Sequence, residues 1–161
     1  MKFWLILLLA FAHRDPAPPL RALVFLSPEC PLSQNYTKTL NELSTRYKGQ
    51  CQIIGIIPGT AYTSAEIAKF KKDYHINFEL RTDKKFEWTK RLGATTTPEA
   101  FLMSKDSVMY AGLIDNWAAS LGVQRTVITA HYLADAIDST LHHHSITTSR
   151  TLPVGCLINT K

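Results

Sequence analysis

Two uninterrupted apolar runs, "LRALVFLS" at 20–27 and "CQIIGIIPG" at 51–59, constrain this chain more than any other feature. A strand that is apolar along its whole length must be buried on both faces, as happens inside a sheet covered by helices. Helical patterns follow both runs. After the first, Tyr36, Leu40, Leu43 and Tyr47 form one helical stripe, ended by Gly49. After the second, Thr63-Ser64-Ala65-Glu66 is a capping box that opens a helix with Ile67, Phe70 and Tyr74 on its inner face. "NFELRTD" (77–83) alternates like a strand, and "KKFEWTKRLG" (84–93) predicts a short helix closed by Gly93. "TTTPEAFLMS" and "DSVMYAGLID" are apolar runs separated by Lys105-Asp106-Ser107 and read as a hairpin. Beyond a loop containing Gly122, "HYLADAIDSTLHHH" puts Leu133, Ile137 and Leu141 on one helical face. The tail "SITTSRTLPVGCLINTK" has no clear period. The order β-α-β-α-β-α-β-β-α predicts an α/β fold: a central mixed sheet, partly parallel, flanked by helices and finished by antiparallel strands.

The 161 residues suffice for one domain, and 45% are apolar, enough for a sizeable core. The formal charge of +5 is scattered. Its densest spots, Lys69-Phe70-Lys71-Lys72 and Lys84-Lys85, are flanked by acids and read as solvated helix faces, so no nucleic-acid partner is expected. At the N-terminus, Lys2 precedes an apolar stretch from Phe3 to Leu9 that ends in Ala10-Phe11-Ala12, the small-x-small pattern of a signal-peptidase site. Residues 1–12 are expected to be a signal peptide, cleaved before His13, and 13–19, with three prolines, a linker. That stretch is short for a bilayer span, so no stable membrane insertion is expected after cleavage. The expected location is periplasmic or secreted, where disulfides persist.

There are three cysteines, Cys30, Cys51 and Cys156, so at least one thiol lies outside any intrachain bridge. Cys30 falls at the seam between the first buried strand and the helix after it, with Pro31 at the first helical position, where its missing N–H costs nothing. In such sheets chemistry sits beyond the carboxyl ends of the parallel strands. The unpaired amides and positive dipole end of the helix favour thiolate over thiol, so Cys30 is expected to be exposed, with a lowered pKa. Glu29 should oppose that lowering by like charge. Cys51 opens an apolar strand at the opposite end of the sheet and reads as a small core residue.

"LVFLSPECPLS" resembles the active-site strand, turn and helix of the thioredoxin superfamily, with Cys30 in the place of the attacking cysteine. "GATTTPEAFLM" resembles that superfamily's cis-proline loop, which pairs with an extended substrate backbone; Thr97 and Pro98 match it. Within the superfamily the chain is similar to redoxins of the alkyl hydroperoxide reductase/thiol-specific antioxidant type, in a branch with "Cys-Pro" at the site and "Val-Gly-Cys" in the tail. The likeness spans about residues 20–145 and leaves 146–161 as a C-terminal tail carrying Cys156. Three features depart from the wider pattern. The motif reads Cys30-Pro31-Leu32-Ser33, with serine replacing the second cysteine; Leu23 stands where a peroxiredoxin has proline, although Ser27 fits; and the short span between the expected cleavage and the first strand predicts no room for the extended N-terminal hairpin common in redoxins.

The resemblance implies a thiol–disulfide oxidoreductase acting on a protein disulfide, with a thiol electron donor and no cofactor. Cys30 would attack, Cys156 would resolve the mixed disulfide, and Thr97, Pro98, Pro31 and Ser33 would line the substrate side. Ser33 would donate a hydrogen bond to the Cys30 sulfur. Gly155 lets the tail backbone approach a surface closely, so a Cys30–Cys156 disulfide, catalytic or structural, is the expected pairing. Two alternatives are a peroxidase acting on a peroxide, and a non-enzymatic binding module or copper carrier in which that link is structural. His131 reads as a capping or packing residue. His142, His143 and His144 point about 100° apart on a helix, so together they cannot hold one ion, and no metal site is expected.

Overall fold

The computed structural model describes residues 20–160; the expected signal peptide and linker lie outside them. The strands are β1 (Leu20–Phe25), β2 (Cys51–Pro58), β3 (Glu79–Asp83), β4 (Thr96–Thr97), β5 (Glu99–Ser104), β6 (Ser107–Gly112), β7 (Ala118–Ser120), β8 (Val123–Gln124) and β9 (Cys156–Leu157). The helices are α1 (Pro31–Arg46), α2 (Ser64–Asp73), α3 (Glu87–Leu92) and α4 (Tyr132–Leu141). The main sheet runs β3-β2-β1-β5-β6, with β1, β2 and β3 parallel and β5 and β6 antiparallel to their neighbours.

The period of two along each strand divides the core between the two faces of the sheet. Ala22, Val24 and Leu26 of the first run, with Ile53 and Ile57 of the second, pack under α1, α2 and α4. Leu23, Phe25, Ile54 and Ile56 pack on the other face, where Trp88 and Leu92 of α3 cover them. This double coverage is why both runs are apolar at nearly every position.

Local signals set the helix ends. Thr63 and Glu66 form the reciprocal capping box at α2, and Gly93 closes α3 in the left-handed conformation at φ 69°. Lys105 and Asp106 turn the β5–β6 hairpin, with Lys105 itself at φ 53°. His131 holds the N-cap position of α4 but its side chain makes no cap hydrogen bond. His142 ends that helix, its ring nitrogen 2.8 Å from the Asp138 carbonyl oxygen. Among the described residues, no group of three His, Cys, Asp or Glu side chains is placed to hold a metal ion, and no helix is long and apolar enough to cross a membrane.

The aperiodic tail is tied down at two places. Ser149 and Thr151 exchange backbone hydrogen bonds with Ala111 of β6, and the Thr151 hydroxyl accepts from the Leu113 amide at 2.7 Å. The chain then crosses to the far side of the site, where β9 pairs antiparallel with β4. A two-residue strand carries no periodic signal, so its partner alone defines it.

Candidate functional site

The site lies beyond the carboxyl end of β1. After Leu26 the chain turns through Ser27-Pro28-Glu29, and the Cys30 amide donates back to the Ser27 carbonyl at 3.1 Å. Cys30 is the N-cap of α1, with extended φ −79° and ψ 116°, and its carbonyl accepts from the Gln34 amide at 3.0 Å. Pro31 takes the first helical position. The Gln34 side chain donates to the Pro28 carbonyl at 2.7 Å and closes the turn. Ser33 is wholly buried one turn on, its hydroxyl accepting from the Ser27 amide at 3.2 Å.

The second wall is the loop from Gly93 to Glu99. The Thr97–Pro98 peptide is cis, as the loop's likeness implied. The Thr97 carbonyl accepts from the Cys30 thiol at 3.1 Å. A clamp that sequence reasoning missed holds this loop. The buried Glu99 carboxylate accepts from the Thr95 amide at 2.7 Å, the Thr96 amide at 3.1 Å and the Thr95 hydroxyl at 3.3 Å. The signal available was an acid directly after a loop proline, opening an otherwise apolar strand.

The tail is the third wall. Thr97 pairs with Cys156 and Thr96 with Leu157, and the Ile158 amide donates to the Thr95 carbonyl at 2.9 Å. The pairing aims the Cys156 thiol at Cys30, to which it donates at 2.7 Å. All three cysteines are free thiols. Gly155 makes the approach possible: a Cβ there would lie 2.3 Å from the Thr97 carbonyl oxygen. The structure thus brings Cys30, Pro31, Ser33, Thr97, Pro98 and Cys156 into one place.

Two expectations need correction. Cys30 is not exposed: only 2% of its surface is accessible, because the tail strand lies across it. Glu29 does not face the sulfur; it is exposed and accepts from the Tyr62 hydroxyl at 3.4 Å, while that hydroxyl also pairs with Ser27 Oγ at 2.8 Å.

Burial pushes the Cys30 thiol up, yet its net pKa is lowered. The Cys156 thiol, the backbone and side chain of Ser33 and the Cys156 amide all hydrogen-bond its sulfur and favour the thiolate. Cys156 moves the opposite way, to about 11, through burial and because its thiol donates a hydrogen bond to the Cys30 sulfur. Cys51, buried at the start of β2, is pushed up to about 12 by desolvation. One sulfur is therefore poised to ionise, its neighbour holds its proton, and the third is inert.

A model of the AhpC/TSA family matches residues 20–111. Comparison with curated proteins finds no match. Among solved structures, a hypothetical protein of Sinorhizobium meliloti superposes with a TM-score of 0.75 at 24% identity, covering 87% of this chain and 79% of that one. An uncharacterised conserved protein of Geobacillus kaustophilus gives 0.77 at 20% identity, over 89% and 78% of the two chains. A thioredoxin-like protein of Aeropyrum pernix gives 0.54 at 19% identity, over 61% and 71%. At these identities the likeness speaks for the thioredoxin-like fold alone.

Proposed function

Because the chain belongs to the AhpC/TSA family, we propose that it is an exported thiol–disulfide oxidoreductase in which Cys30 attacks and Cys156 resolves. The observation that carries this reading is the Cys156 thiol directed at the Cys30 sulfur from a strand on the cis-proline loop. Such an arrangement serves a two-electron dithiol cycle even though Ser33 replaces the second cysteine of the usual motif.

The Cys30 thiolate attacks one sulfur of a substrate disulfide, forming a mixed disulfide and releasing one substrate thiolate. Cys156 then loses its proton and attacks the Cys30 sulfur. The Cys30–Cys156 disulfide forms and the second substrate thiolate leaves, so the substrate gains the two electrons the protein loses. An external dithiol donor reverses the change. Thr97 and Pro98 hold the substrate backbone beside the sulfur, and Ser33 stabilises the thiolate each time Cys30 becomes a leaving group. Export is supported by Lys2, the apolar stretch Phe3–Leu9 and Ala10-Phe11-Ala12, and the oxidising compartment suits a pair of this kind.

Insulin reduction in the presence of a dithiol, with Cys30→Ser as control, tests the proposal; turnover should vanish in the control and slow sharply in Cys156→Ser. Peroxide consumption that outpaced insulin reduction would move the reading to a peroxidase. A Cys30–Cys156 potential below about −300 mV would make the bridge structural.

A further inference from the structure

The Gly155–Ile158 segment occupies the place that the proposed activity gives to a substrate. Four features of the segment define what fits there. The Thr97 carbonyl lies where any Cβ at position 155 would sit, 2.3 Å away, with the Thr97 carbonyl carbon at 2.7 Å and the Pro98 nitrogen at 3.1 Å. These are backbone atoms of a loop clamped by Glu99, so they cannot swing aside as a flexible side chain would. Cys156 follows, pointing at Cys30, and its backbone pairs with Thr97. Leu157 then faces water, 85% exposed, as strand alternation requires. Ile158 turns back onto the apolar cluster of Leu23, Phe25 and Phe101 with Trp88 and Leu92. A cavity of about 170 Å³ adjoins the segment, bounded on the protein side by Ser27, Pro58, Tyr62 and Phe86.

Resting on the oxidoreductase reading, we infer that the tail is an internal copy of the substrate: the protein acts on extended polypeptide segments of the pattern Gly-Cys-x-apolar, and such a segment must displace the tail to reach Cys30. Gly155 and its counterpart in the substrate are then the specificity-determining position, read by the Thr97 carbonyl. The residue after the cysteine is not read, because it faces solvent. A free thiol or a folded surface without an extended strand reaches Cys30 poorly, since only 2% of that residue is accessible while the tail is seated.

The test uses the full chain carrying Cys156→Ser, so that the reaction stops at the mixed disulfide, and the same chain with Gly155→Val added to unseat the tail. Each is reacted with the synthetic peptides Val-Gly-Cys-Leu-Ile, Val-Val-Cys-Leu-Ile and Val-Gly-Cys-Ser-Ile, every one presented as its mixed disulfide with thionitrobenzoate. Cys30 thiolate attacks the peptide sulfur, the Cys30–peptide disulfide forms, and the coloured thionitrobenzoate anion leaves. Rates are divided by those of each peptide with free mercaptoethanol, which removes differences in intrinsic reactivity. The glycine peptide should react about tenfold faster than the valine peptide in both chains, the usual consequence of overpacking a rigid contact. The serine peptide should match the glycine parent, and unseating the tail should speed all three. Ile158→Asp is a second way to unseat it, and the peptide ratio is readable with the tail in place, so misfolding of the Gly155→Val chain does not block the decision. Equal rates for the glycine and valine peptides overturn the sequence preference. Unchanged rates on unseating, in a folded chain, overturn displacement of the tail. Alkylation of Cys30 by iodoacetamide with no release from any peptide removes the oxidoreductase reading itself.

Discussion

Replacing Cys156 by alanine should raise the pKa of Cys30 and cut its thiolate-to-thiol ratio by about tenfold or more. Burial raises the pKa of that sulfur, while the Cys156 thiol, the Ser33 amide and hydroxyl and the Cys156 amide lower it. The Cys156 thiol is the largest of the lowering influences. Alanine removes it alone, because the pairing of residue 156 with Thr97 needs only the backbone, and Gly155 still seats the strand. Burial therefore persists with one donor fewer. A hydrogen bond to a charged group contributes about 1.5–3 kcal/mol, and about 1.4 kcal/mol corresponds to one pKa unit. The assay is the pH dependence of iodoacetamide alkylation of the fully reduced protein, read from the Cys30 peptide by mass. Cys156, at about 11, stays protonated across the neutral range and does not confuse the wild-type curve. Cys156→Ser keeps a donor and should move the midpoint less than alanine does. Glu29→Gln is the control: an exposed charge engaged by Tyr62 and screened by salt should shift the midpoint by no more than a few tenths of a unit. A Cys156→Ala midpoint at or below that of the wild type would refute the assignment of Cys156 as the donor that poises Cys30.

Cys51 links stability to alkaline pH. Its folded pKa of about 12 exceeds the unfolded value of about 8.5, so between the two the folded state holds a proton that the unfolded state has lost, and stability falls as pH rises. Cys51→Ala should flatten the fall between about pH 9 and 10 by nearly 1.4 kcal/mol per unit, measured by urea unfolding at each pH; an unchanged slope would place Cys51 in contact with water. Glu99→Ala leaves the Thr95 and Thr96 amides without their acceptor and should cost about 1.5–3 kcal/mol. Glu99→Gln should cost less, and an alanine variant as stable as the wild type would show that the loop does not depend on the clamp.

Much of the frame was legible along the chain. Leu20–Phe25 and Cys51–Pro58 could be placed because a strand buried on both faces is apolar throughout, and α2 and α3 could be bounded because the Thr63–Glu66 box and Gly93 are local chemistry. Cys30 could be set at a helix N-terminus because an apolar strand ends and a helical stripe begins on either side of it, with Pro31 at the first helical position, and Gly155 could be read as a point of close approach because it precedes a tail cysteine. That the tail returns to Cys30 was expected, but that it seats as a strand on Thr97 and buries the sulfur could not be read, because the contact joins residues 126 positions apart. The strand that carries this cover, β9, has two residues, too few for any period. The Glu99 clamp is equally silent in sequence, since its partners are backbone amides, which every residue but proline possesses. The divergence of the two thiols was decided there too. A helix terminus favours a thiolate wherever it stands, but which sulfur donates and which accepts depends on the other donors that each one faces. Only the packed chain, closing the tail onto Thr97, brings the two sulfurs together and leaves the Ser33 donors to Cys30 alone.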